Sequence, residues 1–204
     1  MTPSLAIVIG TIGRPTLEDS LDSIVKQGLQ PSDQVIVVRD SFEDPDDTKK
    51  VRERVEKYGP PFQYHECDAG YHYNGVEQTN YGCSRAAADF VLSLGDDDVY
   101  EPGAFDTLRT VMAEDLFRPV LFRFLSPWRT VLWDMPRMLR SHISGQCIAI
   151  PRVFMAKQPT NIDPSVDFDW MEAILAKAAA AKKDPLWLDA LLVIARPKVR
   201  FSCP

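Results

Sequence analysis

The stretch that decides the fold is FVLSLGDDDVYEPGAF, residues 90–105, in which an apolar run ends on three consecutive aspartates. Ionised carboxylates repel one another, so this arrangement is unfavourable unless a positive charge lies beside it. In an extended segment alternate side chains share a face, which would bring Asp96 and Asp98 together. A divalent cation that holds a diphosphate suits such a pair. The alternative is an acidic turn that caps the following helix.

The residues upstream of this stretch alternate between strand-like and helix-like patterns. The continuous apolar runs LAIVIG (5–10) and QVIVV (34–38) are typical of strands covered on both faces. Between them, apolar residues at helical spacing end near Gly28, a natural stop for a helix. We therefore predict an α/β fold with a mostly parallel central sheet and helices on both faces. The other predicted elements are strands at 62–66 and 90–94, and helices from Pro45, near 76–88, and from Pro102 to about 114.

The second half of the chain is less regular. Strand-like runs occur at 119–125, 130–135, 146–150 and 191–195, and a helical pattern covers about 167–182. We predict that these strands form a short mixed half, with antiparallel additions at the edge of the sheet. No linker divides the chain, so 1–204 is interpreted as one domain with halves at about 1–115 and 116–204.

Composition narrows the classes of function. With 204 residues, of which 45% are hydrophobic and 25% charged, the chain suits one globular core. There is no apolar run of about 18 residues and no basic leader, so we expect a cytoplasmic protein without a transmembrane segment. Four scattered cysteines argue against a structural zinc site or a disulfide framework. The net charge of −6 argues against bulk nucleic-acid binding.

Three polar clusters directly follow predicted strands: GTIGRP (10–15), RDS (39–41) and GDDD (95–98). The carboxyl ends of parallel strands meet at one edge, which is where open α/β sheets bind ligands. We therefore expect the three clusters to line one site. Neither G-x-G-x-x-G nor a Walker A pattern is present, which argues against a dinucleotide-binding or P-loop protein.

Taken in order, several segments resemble the family 2 glycosyltransferases, which have the Rossmann-like GT-A fold. The segments are AIVIGTIGRPTLEDSLDSI, QVIVVRDS, TNYGCSRAAADFVLSLGDDDVYEPGAF and DFDW; they cover roughly residues 5–110 well and the rest thinly. The resemblance implies a nucleotide-sugar-binding first half and an acceptor-side second half. It implies a hexosyltransferase that moves a sugar from a nucleoside diphosphate, preferably UDP, to an acceptor hydroxyl. Inversion by a single displacement, with Mn²⁺ or Mg²⁺ as cofactor, is also implied.

The resemblance assigns candidate roles to residues of the donor and metal sites. The donor-site candidates are Thr11, Gly13, Arg14, Asp40, Asn80, Arg85, Asp96 and Asp97. Asp96 and Asp98 match the D-x-D metal motif, although many members have an aspartate where this chain has Gly95. His142 is a further candidate metal ligand or diphosphate contact. The alternatives are a turn acid for Asp40, solvated helix residues for Asn80 and Arg85, and a structural or exposed histidine.

The general base is expected near the start of the late helix. The resemblance points to Asp167, with Asp169 as the substitute, while Val166 stands where the family has a glutamate. A carboxylate suits proton abstraction from a hydroxyl. The alternative is a pair of acids favoured by the positive end of a helix.

The acceptor and two rival functions stay open at this point. A saccharide, a small molecule, a protein or a modified nucleic-acid base are all compatible acceptors, and the oligomeric state is not indicated. Two sets of side chains bear on the acceptor: the arginines Arg118, Arg123, Arg129, Arg137 and Arg140, which suit a polyanion, and the aromatics Phe124, Trp128, Trp133 and Trp170, which suit either sugar stacking or the core. The rivals are a nucleotidyltransferase and a catalytically silent module that binds nucleotide sugars.

Overall fold

A computed structural model describes residues 2–40, 45–68, 75–140, 142–159 and 166–195, with only the backbone of 45–47. Ser41 of the predicted RDS cluster and Cys203 lie outside the described residues. The described strands are β1 (Leu5–Thr11), β2 (Gln34–Asp40), β3 (Phe62–Cys67), β4 (Phe90–Gly95), β5 (Asp98–Tyr100), β6 (Val120–Leu125), β7 (Val131–Leu132), β8 (Ile148–Pro151) and β9 (Leu186–Ala195). The described helices are α1 (Leu17–Val25), α2 (Pro45–Glu56), α3 (Val76–Arg85), α4 (Ala104–Met112) and α5 (Val166–Ala180).

The first half forms the predicted parallel sheet, in the order β3-β2-β1-β4. The central strands β1 and β2 contain unbroken apolar runs because both of their faces are covered; Leu5–Ile9 and Val35–Val38 are fully buried, whereas β3 at the edge is half-buried. In register, Gly10 of β1 pairs with Val38 of β2 and with Gly95 of β4. The carboxyl ends of β1, β2 and β4 therefore meet at one edge, called the carboxyl edge below.

The second half continues the same sheet beyond β4 as the predicted mixed half, but not all of its strands are antiparallel additions. β8 lies inside the sheet, antiparallel to both β4 and β6, and β6 runs parallel to β9. An apolar run shows that a strand is buried, but it does not show which neighbours the strand pairs with. Since β6 has the same direction as β4, the β6–β7 hairpin leaves from the carboxyl edge.

Two elements around the aspartates differ from the sequence prediction. The third aspartate, Asp98, begins β5, which pairs antiparallel with β9 and was not predicted. α4 begins at Ala104 rather than Pro102, because Gly103 has a left-handed backbone with φ of +79°. The acidic triplet is thus a tight turn between two strands instead of a helix cap.

α3 packs closely on β1 and β2 because Gly82 has no side chain. A Cβ at this position would lie 2.4 Å from Val8 Cγ1 and 3.2 Å from Val38 Cγ2. The close packing places the start of α3 over the carboxyl edge, where a Cβ on Gly10 would lie 3.1 Å from Gln78 Cβ. None of the described helices has the length and apolar composition of a membrane span.

Candidate functional site

The loop after β1 and the acidic triplet after β4 form one hydrogen-bonded cluster at the carboxyl edge. The Thr11 hydroxyl donates to Asp96 Oδ2 at 2.7 Å and accepts from the Gly13 N–H at 2.9 Å. Arg14 Nη1 bridges Asp96 Oδ1 and Asp97 Oδ2, each at 3.0 Å. Burial raises the pKa of Asp96, while the Thr11 hydrogen bond and the Arg14 charge oppose this effect. The guanidinium thus already supplies one positive charge to the cluster.

Asp98 carries the most unfavourable charge of the triplet. Its side chain is buried, and its Oδ2 accepts a hydrogen bond from the Gly95 N–H at 3.2 Å. Burial, with the neighbouring charge of Asp97, raises the pKa of Asp98 to about 7. A Cβ at Gly95 would lie 2.6 Å from Asp98 Oδ2, so the Asp98 carboxylate fills the room that a side chain there would need. The lack of a side chain at Gly95 therefore leaves room for the Asp98 carboxylate.

Two arginines hold the β1 loop: Arg54, which the sequence analysis did not single out, and Arg39 of the predicted RDS cluster. Arg54 of α2 donates to the carbonyl oxygens of Arg14 and Gly13, each at 3.1 Å. Arg39, fully buried in β2, lies under Gly13, where a Cβ would be 2.7 Å from Arg39 Nη1. Asp40 follows Arg39 and is also buried, at the end of β2 beside this loop. The loop geometry therefore depends on a glycine at position 13.

Replacing Gly13 by alanine is expected to destabilise the protein by about 1–3 kcal/mol, because it combines strain at a φ of +89° with overpacking against Arg39. Thermal unfolding measures the effect. Gly28→Ala is the matched control: Gly28 also has a positive φ, of +69°, but an added Cβ meets nothing within 4 Å. Equal losses in the two variants would show that the contact with Arg39 has no role.

The two candidate bases have different surroundings. Asp167 lies at the start of α5, where its carboxylate accepts from the Gly145 N–H at 2.9 Å and from Gln158 Nε2 at 2.8 Å. Asp169 forms an ion pair with Arg140 Nη2 at 2.6 Å. The Asp169 carboxylate is thus engaged by a charged side chain, whereas neutral donors hold the Asp167 carboxylate in a fixed orientation. This geometry favours Asp167 over Asp169.

Cys147 connects Asp167 with the acidic triplet. Gly145–Cys147 forms a short 3-10 turn before β8, and β8 pairs with β4 so that this turn lies at the carboxyl edge. Burial raises the pKa of the Cys147 thiol to about 12, and the charges of Asp167 and Asp98 both add to the rise. Since the Gly145 N–H in this turn holds Asp167, the candidate base lies at the same edge of the sheet as the triplet that follows β4.

The structure does not bring every predicted residue to this edge. Arg85 ends α3 at the opposite side of the sheet, where its Nη2 donates to the Tyr81 hydroxyl at 3.0 Å. The Asn80 side-chain amide donates to the Gln158 carbonyl oxygen at 3.0 Å and accepts from the Gln158 N–H at 2.7 Å. His142 is half-exposed, with its Nδ1 3.8 Å from Asp134 Oδ1. None of the three contacts the triplet within the described part of the chain.

The aromatic and basic residues of the second half separate into buried and exposed groups. The buried aromatics are Phe124, Trp133 and Trp170. Trp128 is 79% exposed at the tip of the β6–β7 hairpin. Arg118 donates to the Asp184 carbonyl, and Arg123 and Arg140 pair with acids; Arg129 and Arg137 are exposed. A continuous basic surface is therefore not formed by these five arginines.

Among the described residues, no group of three or more histidine, cysteine, aspartate or glutamate side chains is arranged to hold a metal ion. Magnesium sites in proteins commonly use only one or two carboxylates, with waters and substrate phosphates completing the coordination. The buried Asp98, next to Asp96 and Asp97, has the oxygen donors and the excess negative charge that such a cation requires. The residues therefore fit a cation that arrives with a diphosphate.

Solved structures share this fold at low sequence identity. S. aureus TarS 1–349 in complex with UDP has a TM-score of 0.71 and 14% identity, with 95% of this chain and 60% of that chain covered. The same protein with UDP-GlcNAc has a TM-score of 0.67 and 14% identity, with coverages of 95% and 58%. The mannosyltransferase PcManGT from Pyrobaculum calidifontis, in complex with GDP-Man and Mn²⁺, has a TM-score of 0.68 and 15% identity, with coverages of 98% and 59%. These likenesses confirm the GT-A fold.

The chain spans less than two thirds of the length of these structures. No protein of curated function matches it at a significant level. The model of the family described as Glycosyl transferase family 2 matches residues 6–150. Since that match includes β1 to β4, the acidic triplet and most of β8, and exceeds half of the 204 residues, the chain belongs to glycosyl transferase family 2.

Proposed function

We propose that the chain transfers a sugar from a nucleoside diphosphate sugar to an acceptor hydroxyl, with inversion at the anomeric carbon and with a divalent cation. The observation that carries this proposal is that the Gly145 N–H, in the turn before β8, holds Asp167, while β8 pairs with β4, the strand that leads into the acidic triplet. A buried acid cluster and a separate, oriented carboxylate are the two parts that a direct displacement needs.

The donor is proposed to bind along the β1 loop and the triplet. Thr11, Gly13, Arg14 and Asp40 line this part of the edge, and Arg14 is well placed to move from the aspartates to a phosphate oxygen. Gln78, at the start of α3, adds a buried Oε1 that has no hydrogen-bond partner in the part of the chain that the structure describes. A buried acceptor without a partner is costly, so a donor group of a bound nucleoside would satisfy it. UDP and GDP are the nucleotides to test first, because the similar structures hold them.

The cation is assigned to Asp98 together with Asp96 or Asp97. When bound, it would supply positive charge to the diphosphate as this group leaves. The chain's own contribution is the rigid turn that holds the three carboxylates: Gly95 N–H fixes Asp98, and Thr11 fixes Asp96. Such preorganisation means that little rearrangement is needed when charge develops on the leaving group.

The displacement itself is assigned to Asp167. Its carboxylate takes the proton of the acceptor hydroxyl while the hydroxyl oxygen forms a bond to the anomeric carbon. The bond from that carbon to the β-phosphate oxygen breaks, and its electron pair leaves with the nucleoside diphosphate. A single displacement of this kind inverts the configuration. No covalent intermediate is required.

The acceptor is proposed to approach from the β6–β7 hairpin. Trp128 is exposed at its tip, and the hairpin leaves the sheet at the carboxyl edge. An exposed tryptophan face suits stacking on a sugar ring. A saccharide hydroxyl is therefore the acceptor class that the described surface favours.

The test of the proposed function is the release of nucleoside diphosphate from UDP-GlcNAc and GDP-mannose, with Mn²⁺ or with EDTA. We expect turnover of one donor in Mn²⁺ and a loss of at least about 100-fold in EDTA, because the cation stabilises the leaving group by several kcal/mol. Binding of a donor without release, under all conditions, would instead identify a silent sugar-nucleotide-binding module.

A further inference from the structure

We propose that Gln158 is a positioning residue, which orients the Asp167 carboxylate towards the acceptor. The proposal rests on the proposed function, in which Asp167 is the general base. Gln158 lies in the segment between β8 and α5 and matches no motif of the sequence. Its side chain is 5% exposed, and its Nε2 donates to Asp167 Oδ1 at 2.8 Å.

The Asp167 carboxylate is held on both oxygens. Oδ1 accepts from Gln158, while Oδ2 accepts from the Gly145 N–H at 2.9 Å. A carboxylate oxygen has two lone-pair directions; among the described residues Gln158 uses one of those on Oδ1, and the other suits a substrate hydroxyl. Gln158 binds the same oxygen that would take the proton, and it therefore sets the direction of the remaining lone pair.

Gln158 is itself fixed to the donor half of the chain. The Asn80 side chain of α3 donates to the Gln158 carbonyl at 3.0 Å and accepts from the Gln158 N–H at 2.7 Å. The preceding residues are tied to α5, because Trp170 Nε1 donates to the Ala156 carbonyl at 2.7 Å and Lys177 Nζ to that of Met155 at 2.8 Å. A continuous path thus joins α3, which packs on β1, to the candidate base on α5.

This path gives Asn80 a different task from the donor contact implied by the family resemblance. Both polar atoms of its amide are used by the Gln158 backbone. A side-chain substitution at Gln158 leaves those two backbone hydrogen bonds in place, so it removes the contact with Asp167 selectively. Hydrogen bonds to the ionised form of an acid stabilise that form, so their loss favours protonation.

The experiment measures kcat, the KM of the donor and the pH profile of nucleoside diphosphate release in Mn²⁺, for wild type, Gln158→Leu and Gln158→Glu. For Gln158→Leu we expect kcat to fall by about 10- to 100-fold, with the donor KM within about twofold, because a misplaced base costs rate rather than donor binding. In Gln158→Leu we also expect the acid limb of the pH profile of nucleoside diphosphate release to move to higher pH. In Gln158→Glu we expect this limb to move further, because two adjacent carboxylates compete for one proton.

The matched control is Gln27→Leu. Gln27 is likewise buried, at 6% exposed, and its side-chain amide forms hydrogen bonds with backbone atoms of Ser23, Glu101 and Phe105. We expect a similar loss of thermal stability in this variant and an unchanged pH profile. The positioning role alone would be overturned if Gln158→Leu and Gln158→Glu kept the kcat and the acid limb of the wild-type pH profile. It would also be overturned if Gln27→Leu shifted the acid limb as much as the Gln158 variants do. Failure of the wild type to release nucleoside diphosphate from either donor would overturn the proposed function and this role with it.

Discussion

Replacing Asp98 by asparagine is expected to stabilise the metal-free protein at pH 8. The same change should reduce turnover by about 10³-fold, because several kcal/mol of charge stabilisation at the diphosphate are lost. The pKa of this carboxyl is about 7 in the folded protein, against an ordinary value of 3.8. The folded state therefore holds the proton more tightly, and wild-type stability falls as the pH rises from about 4 to about 7. At pH 8 the ionised, buried carboxylate costs up to about 4 kcal/mol, which asparagine avoids.

Chemical unfolding in EDTA at pH 4, 6 and 8 measures this effect. The gain in Asp98→Asn should be small at pH 4 and largest at pH 8. Asp106→Asn is the control, because Asp106 is exposed in the first turn of α4 and its loss of charge should leave stability nearly unchanged at every pH. If Asp98→Asn is less stable than wild type at pH 8, the buried charge of Asp98 does not destabilise the metal-free protein, and this explanation of its cation binding is contradicted.

Replacing Asp167 by asparagine is expected to lower kcat by about 10²- to 10⁴-fold and to leave the affinity for the donor nucleotide unchanged. An amide cannot take the acceptor proton, and general-base catalysis contributes about this factor. The binding of UDP or GDP in Mn²⁺ is measured by calorimetry, and turnover by nucleoside diphosphate release.

Asp169→Asn is the matched variant for this comparison. Asp169 lies on the same turn of α5, but its carboxylate is paired with Arg140. We expect its kcat to fall by less than about tenfold, through the loss of a half-exposed ion pair. A larger loss in Asp169→Asn than in Asp167→Asn would reverse the assignment of the base.

The parallel half of the fold was predictable because its signals are local. Apolar runs such as Leu5–Ile9 identify buried strands, and the polar residues that follow them, Thr11, Asp40 and Asp96, must meet when the strands are parallel. The family resemblance, confirmed by the match over residues 6–150, needed only these segments and their order.

The remaining features depend on contacts between distant residues, which no local pattern records. β8 became an interior antiparallel strand, although its sequence looks the same as that of a parallel one. Gln158 and Gly145 donate hydrogen bonds to Asp167, 9 and 22 positions away, and lie in segments without a motif. Trp128 and Trp133 lie only five positions apart, yet one is exposed at a hairpin tip and the other is buried.

The central claim is that the acidic triplet holds a divalent cation together with a diphosphate. Titration of Mn²⁺ followed by electron paramagnetic resonance, with and without UDP or GDP, tests it most directly. We predict one tightly bound Mn²⁺ per chain in the presence of one of the two nucleotides, much weaker binding without nucleotide, and loss of the bound signal in Asp98→Asn. Absence of bound Mn²⁺ with both nucleotides, or a bound signal that is unchanged in Asp98→Asn, would contradict the claim.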